Sequence, residues 1–328
     1  MRRLAARLVI AGLALAVGGA AAGCSAAPGL AYAKGATLPS SGSTSTAITA
    51  MVPDSARVKT TSGPVLSVVG GPQGVKAKAG ILVDAATGQV LWSAGENTTR
   101  PIASITKVMT ALVVLQAGGL NRQVTVPKPV TDYVAKYAAN AAGLVPGQRF
   151  TVDELLHTML IVSAADAAYT LASAYGPGLP AFVAKMNAEA AKLGLTHTHF
   201  TSPDGLPYPT ETSTYSTPAD LVELGEAAMK YPEFRSIVAQ HIYNLPKTPT
   251  HSAVSVTNSD ALITTYQGAV GIKDGFTNAA GHTLLFEAVR NGRTLIGDVL
   301  GSPASGPASG AQDAAKVLNW GFTLKQSG

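Results

Sequence analysis

From about residue 76 onward, apolar and polar positions fall into runs of two periods. "KAGILVDAATGQVLWSAG" holds two apolar runs around Thr87-Gly88, which predicts a β-hairpin. "IASITKVMTALVVLQAGG" is apolar nearly all round, which predicts a buried helix. "TVDELLHTMLIVSAADAAYTLASAYG" predicts one or two helices, opened by Thr151 with Glu154 three residues on, the spacing of a capping box. "GLPAFVAKMNAEAAKLGL" predicts an amphipathic helix ended by Gly194, and "STPADLVELGEAAMKY" another capped by Ser216 or Thr217. Strands follow in "AVGIK" and "HTLLFEAVRNGRTLIGDVLG", the latter turning at Asn291-Gly292, and "AQDAAKVLNWGF" closes as a helix. A strand pair, several helices, a strand meander and a last helix describe an α/β sandwich.

Residues 25–75 break this pattern. "TLPSSGSTSTAITAMVPDSARVKTTSGP" is rich in Ser, Thr, Gly and Pro without periodicity, and reads as a tether that ends near Lys76, with Gly70-Gly71-Pro72 inside it. Residues 1–24 read as a signal peptide: Arg2, Arg3 and Arg7 precede the apolar "LVIAGLALAVGGAAAG", short for a membrane span. Cys24, the sole cysteine, stands in "AAAGCS" and resembles the lipidated cysteine of a bacterial lipobox; Ala31-Tyr32-Ala33 offers a rival cleavage site and secretion. On either reading the protein is exported.

Composition narrows the function. Hydrophobic residues make up 46% of 328, ample for a full core, and 24 Lys+Arg against 19 Asp+Glu give +5. The basic residues are scattered, without the stripe that nucleic acid demands. His197-Thr198-His199 reads as a surface strand, since no cysteines or acids at ligand spacing accompany the two imidazoles. No metal or cofactor is expected. Asp166 reads as a structural cap or ion-pair partner.

Chemistry gathers in two places. Ser104-Ile105-Thr106-Lys107 opens the buried helix, and the i, i+3 spacing puts hydroxyl and amine on one face. Desolvation disfavours the ammonium, so such a lysine can take the serine proton. About one Ser-x-x-Lys is expected by chance in a chain of this length. The apolar setting singles this one out, because a buried lysine without a task is costly. The second place is "GAVGIKDGFTNAAGHTLLF", where Asp274-Gly275 reads either as a hairpin turn or, with Lys273, as the wall of an active site.

These stretches together resemble the low-molecular-mass penicillin-binding proteins, the serine D-alanyl-D-alanine carboxypeptidases. The likeness runs from Lys76 to Phe322 through "ILVDAATGQVLWSAGENTTRPIASITKVMTALVVL", "LVPGQRFTVDELLHTMLIVSAADAA", "FTSPDGLPYP", "TNSDALITTYQGAVGIKDGFTNAAG" and "LNWGF". The resemblance implies a three-layer α/β sandwich, an antiparallel sheet with helices on both faces, as in serine β-lactamases. It places a catalytic domain over residues 76–324. It implies that Ser104 is the acylated nucleophile, Lys107 its base, and Ser163 a proton relay to the leaving group. Lys273 would orient Ser163 on a wall that continues through Asp274, Gly275 and Phe276, and the N–H groups of Ser104 and Phe276 would form the oxyanion hole. The implied partners are peptidoglycan stem peptides, with β-lactams as covalent ligands and the membrane reached through an N-terminal lipid.

Three departures fall on substrate recognition. Ala165 stands where the family's Ser-x-Asn signature has asparagine, and Asp274 where Lys-Thr-Gly has threonine. "SPASGPASGAQDAA", after the last strand, lacks the arginine with which many relatives meet the substrate carboxylate. Asp274 could pair with Lys273, turn its carboxylate away, or suit a substrate without a free carboxylate. A degenerate peptidoglycan- or partner-binding relative, and an esterase or β-lactamase-like hydrolase, are the alternatives to a carboxypeptidase.

Overall fold

The computed structural model describes residues 70–325. The expectations for residues 1–24, including Cys24, and for most of the tether lie outside the described residues. Strands β1 (Ala79–Asp84) and β2 (Gln89–Ala94) form the first hairpin, with Gly88 at φ +70° in its turn. β3 (Arg100–Pro101) pairs with β6 (Tyr215–Ser216), β4 (Gln123–Thr125) with β5 (Arg149–Thr151), and β7 (Ile242–Leu245) with β8 (Val254–Thr257), all antiparallel. The meander is β9 (Ala269–Thr277), β10 (Gly281–Arg290) and β11 (Arg293–Ser302). It joins the first hairpin in a five-stranded sheet ordered β2-β1-β11-β10-β9, antiparallel throughout.

The helices are α1 (Thr106–Ala117), α2 (Val130–Tyr137), α3 (Val152–Ile161), α4 (Ala165–Tyr175) and α5 (Leu179–Lys192), then α6 (Pro218–Met229), α7 (Pro232–Val238), α8 (Leu262–Thr265) and α9 (Ser309–Thr323). Successive side chains of a strand point to opposite faces, and the burial obeys this. Leu82, Leu284, Phe286, Leu295 and Val299 pack under α9, whereas Ile81, Ile272, Leu285, Ile296 and Leu300 face the core that holds α1, α3, α4 and α6. The expected three-layer sandwich is the fold.

Local signals act where the pattern placed them. Thr151 and Glu154 close a reciprocal capping box on α3, and the Thr217 side chain caps α6. The single or double helix after Thr151 is double: α3 ends at Ile161, and Ser163 takes φ +63° before α4 begins. Two expectations are corrected. Residues 70–75, the end of the expected tether, are held: Trp320 Nε1 donates to Gly70 O and Lys316 Nζ to Gly74 O, and Lys76 N, where the domain is expected to begin, donates to Asp313 Oδ1, so the segment is strapped to α9. His197-Thr198-His199 is no strand: His197 lies in a turn and donates its N–H to Asp220, while His199 makes one isolated bridge to Tyr215. The short threonine-histidine repeat alternates by composition, but the Asp220 carboxylate bends it by binding His197 N and Thr198 Oγ1 together.

Candidate active site

Ser104 sits in a single 3-10 turn, Ala103–Ile105, that feeds directly into α1. Ala103, just before it, holds φ +48°, a region that an L side chain seldom occupies and that costs about 1–2 kcal/mol. Lys107 follows in the first turn of α1. It is 2% exposed, and its Nζ donates to Ser104 Oγ at 2.9 Å and to Asp204 O at 2.9 Å. One turn further, Thr110 Oγ1 donates to Pro203 O at 2.6 Å, so α1 grips the 203–204 loop at two successive turns.

That grip explains Gly205. With φ +81°, an added Cβ there would lie 1.9 Å from Ala103 O, so only glycine lets the loop approach the nucleophile's turn. Asp204, in the loop that Gly205 lets approach, is buried and central. Its carboxylate accepts from Tyr133 Oη at 2.9 and 3.1 Å and from Leu206 N at 3.2 Å, while its carbonyl holds Lys107. Burial pushes the Tyr133 phenol far above its ordinary range, and the Asp204 carboxylate adds to this, so Tyr133 is a fixed donor.

The electrostatics bring the neutral form of Lys107 within reach near neutral pH. Burial, the largest influence, lowers the ammonium; Asp204 opposes it, Lys273 lowers it further, and Asp274 and Asp166 raise it, which leaves it at about 8. A lysine in this state is a base close to working pH.

Residues 273–276 lie on a strand, not in a hairpin turn; the turn between β9 and β10 falls at residues 278–280. β9 is an edge of the sheet and runs beside Ser104. An added Cβ on Gly275 would stand 2.7 Å from Ser104 N and 2.8 Å from Thr283 Oγ1, which is why a glycine is needed here. Thr283 Oγ1 ties the strand to the nucleophile's turn through Ile102 O at 3.2 Å. Phe276 is 46% exposed, with its ring 4.5 Å from that of His282.

Lys273 departs from its expected task of orienting Ser163. Its Nζ, 1% exposed as a side chain, donates to Asp274 Oδ1 at 2.5 Å, Asp274 O at 3.1 Å and Ser259 Oγ at 3.4 Å. Ser259 Oγ donates in turn to Asp274 Oδ1 at 2.6 Å. The physical reason is charge: the carboxylate on the next residue pairs with the ammonium, and a neutral hydroxyl does not compete with it. The Ser163 hydroxyl makes no hydrogen bond among the described residues, although its side chain is buried in the loop between α3 and α4. That loop is held by Asn140, whose side-chain amide donates to Val162 O and whose carbonyl accepts from Ala165 N. Asp166 accepts from Ala142 N, Leu144 N and Ala167 N, so its carboxylate organises the segment packed over the loop.

Behind Asp274 a small recess is lined by Ser259, Asp260, Asp274, Gly275, His282 and Thr283 among others. Burial raises Asp274, but the Lys273 charge and the Lys273 and Ser259 hydrogen bonds outweigh it and hold the carboxylate below its ordinary range. Asp260 goes the other way: burial, then the Asp274 charge, push it up to about 7 against the Leu262 N–H and Lys273. Its Oδ1 accepts from Leu262 N at 2.8 Å, and its Oδ2 has no partner among the described residues. Burial lowers His282, with Asp274 opposing, so the imidazole is neutral at pH 7.

The structure thus brings Ser104, Lys107 and Gly275 together, with the Lys273–Asp274 pair on the same strand, and adds Asp204, Tyr133, Ser259 and Asp260; Ser163 lies in the loop after Ile161, whose carbonyl accepts from Ser259. A serine activated by a buried lysine, with a strand edge against its amide, is an arrangement suited to acyl transfer. Known proteins are similar to the chain in sequence and in fold. Residues 67–304 match the D-alanyl-D-alanine carboxypeptidase family. A D-alanyl-D-alanine carboxypeptidase of Streptomyces sp. strain K15 is 39% identical over 263 residues, 76% of this chain and 88% of the relative. The carboxypeptidase DacB2 of Mycobacterium tuberculosis is 41% identical over 249 residues, 76% of this chain and 83% of its own. The crystal structure of the Streptomyces K15 DD-transpeptidase superposes with a TM-score of 0.73 at 36% identity, covering 78% of this chain and all of that one. By sequence and by fold, therefore, the chain belongs to the D-alanyl-D-alanine carboxypeptidase family of serine peptidases.

Proposed function

We propose that the chain is an exported serine D-alanyl-D-alanine carboxypeptidase, acting on peptidoglycan stem peptides through an acyl-enzyme on Ser104. The observation that carries this reading is the 2.9 Å hydrogen bond from Lys107 to Ser104, made by a lysine that is 2% exposed. Neutral Lys107 takes the proton of Ser104 as Oγ attacks the carbonyl before the terminal D-alanine. The N–H groups of Ser104 and Phe276 receive the developing oxyanion; one such donor is worth about 3 kcal/mol. The C–N bond breaks, Ser163 passes a proton to the leaving nitrogen, and water resolves the ester. β-Lactams enter the same first step and stay as covalent ligands. The intact Ser104–Lys107 contact speaks against a mere binding module, which has no need of an activated serine.

The pH dependence follows from Lys107. The base works only when neutral, so kcat/KM for D-alanine release climbs with pH and levels off above about 8. With a tenth of the lysine neutral at pH 7, the climb from there is about tenfold. A profile that is flat from pH 6.5 to 9 would remove Lys107 as the base.

Anchoring is proposed on the sequence signal of Cys24 after its apolar run. No helix among the described residues is long and apolar enough to cross a membrane. The expected result is a lipid-bearing N-terminal Cys24 in the membrane fraction of a bacterial host, with Cys24→Ala moving the protein to the medium. A mature protein beginning after Ala33 decides for secretion instead.

A further inference from the structure

We infer that the cleft is built for a peptide whose carboxylate beyond the scissile bond is masked as an amide, as in an internal D-Ala–X bond, in preference to a terminal D-alanine with a free carboxylate. The inference rests on the acyl-enzyme reading above and names the substrate for the same site.

A free carboxylate needs a cation or several unspent donors. On this wall the Lys273 ammonium is closed on Asp274 and Ser259 by three hydrogen bonds of 2.5 to 3.4 Å and is 1% exposed as a side chain. The Ser259 hydroxyl spends its proton on Asp274 Oδ1. The recess behind is lined by two acids, a neutral histidine and no lysine or arginine. The sequence from Gly301 to Ala315 contains no basic residue either.

What the wall does present is the Asp274 carboxylate, its side chain 32% exposed, on the residue next to the glycine that touches Ser104 N. Its Oδ2 accepts no hydrogen bond among the described residues, whereas Oδ1 accepts two. A carboxylate of the substrate meets like charge there. An amide N–H meets an ionised acceptor, which gives a charge-assisted hydrogen bond. The covalent step is unchanged. The Ser104 Oγ–carbonyl carbon bond forms, the C–N bond breaks, and the serine proton is balanced by the proton delivered to the leaving nitrogen. The departing amine carries an amide where D-alanine carries an acid, and water then releases the acyl group.

The test uses the purified full chain with three substrates at pH 8. These are an acyl-D-Ala-D-Ala peptide, its C-terminal carboxamide, and an acyl-D-alanine thioester whose leaving group has no carboxylate. The expected kcat/KM for the carboxamide exceeds that for the free acid by at least about tenfold, the scale of a single charge-assisted hydrogen bond. Equal values, or a preference for the free acid, overturn the inference while leaving the acyl-enzyme reading in place. Cleavage of neither peptide, with the thioester acylating Ser104, does the same. A thioester that is neither hydrolysed nor leaves a mass adduct on Ser104 sinks the acyl-enzyme reading itself. No variant is required, so folding of a mutant cannot blur the result.

Discussion

Ser104→Ala removes the mass adduct that benzylpenicillin leaves on the wild-type chain and lowers D-alanine release by up to about six orders of magnitude, the scale seen when a catalytic serine is lost. The variant keeps its fold, because the Ser104 hydroxyl serves Lys107 alone and the ammonium retains Asp204 O. Loss of one small polar interaction in a site with a second acceptor costs about 1 kcal/mol of stability. Activity and stability therefore separate cleanly: the melting curve hardly moves while the chemistry disappears. Intact mass after incubation with the drug, with circular dichroism on the same samples, reads both. An adduct on the variant would place the nucleophile elsewhere, and none on a folded wild type would take penicillin binding out of the function.

Asp274→Thr, which writes the family's Lys-Thr-Gly into β9, speeds acylation by benzylpenicillin by roughly 10- to 100-fold. Two unit charges 4 Å apart at an effective dielectric near 20 repel by about 4 kcal/mol, nearly a thousandfold in affinity. Lys273 at 2.5 Å cancels much of that repulsion, which brings the expected gain below the limit. The substitution acts twice: it removes the anion, and it frees the Lys273 ammonium to face the drug's carboxylate. It also has a cost. Lys273 is buried and loses its ion-pair partner, so the variant melts earlier, by an amount set by how well the threonine hydroxyl replaces Asp274 Oδ1. Faster labelling together with a lower melting temperature is the signature. Labelling no faster than wild type, in a protein that is still folded, would show that Asp274 does not govern carboxylate recognition.

The elements of the sheet and the helices were legible because their signals are local. The Thr151–Glu154 box, the Asn291-Gly292 turn and Gly194 each act within a few residues. Ser104 and Lys107 were legible for the same reason, being one helical turn apart. What escaped lies across long separations. Asp204 meets Lys107 from 97 residues away, and Tyr133 meets Asp204 from 71, so nothing in either segment announces the other. A signal did exist in Gly205, whose neighbour had to lie against another backbone, but one sequence cannot distinguish it from any other turn glycine. The expected Lys273–Ser163 contact failed because it was carried over from relatives with a neutral residue at 274. The acid changes its neighbour's partner. The φ values of +48° at Ala103 and +63° at Ser163 were invisible for a different reason, since neither alanine nor serine signals a left-handed backbone.

The strap from Gly70 to Lys76 has a mechanical consequence. Any load on the chain before it enters the domain at the Gly70–Trp320 and Gly74–Lys316 hydrogen bonds, and so is borne first by α9. That helix packs on the face of the sheet opposite the core that contains α1. A five-stranded antiparallel sheet stands between the point of pull and the turn that carries Ser104, with side chains packed on both of its faces. With the N-terminal anchoring proposed above, a pull from outside the domain meets this peripheral strap before it meets the sheet.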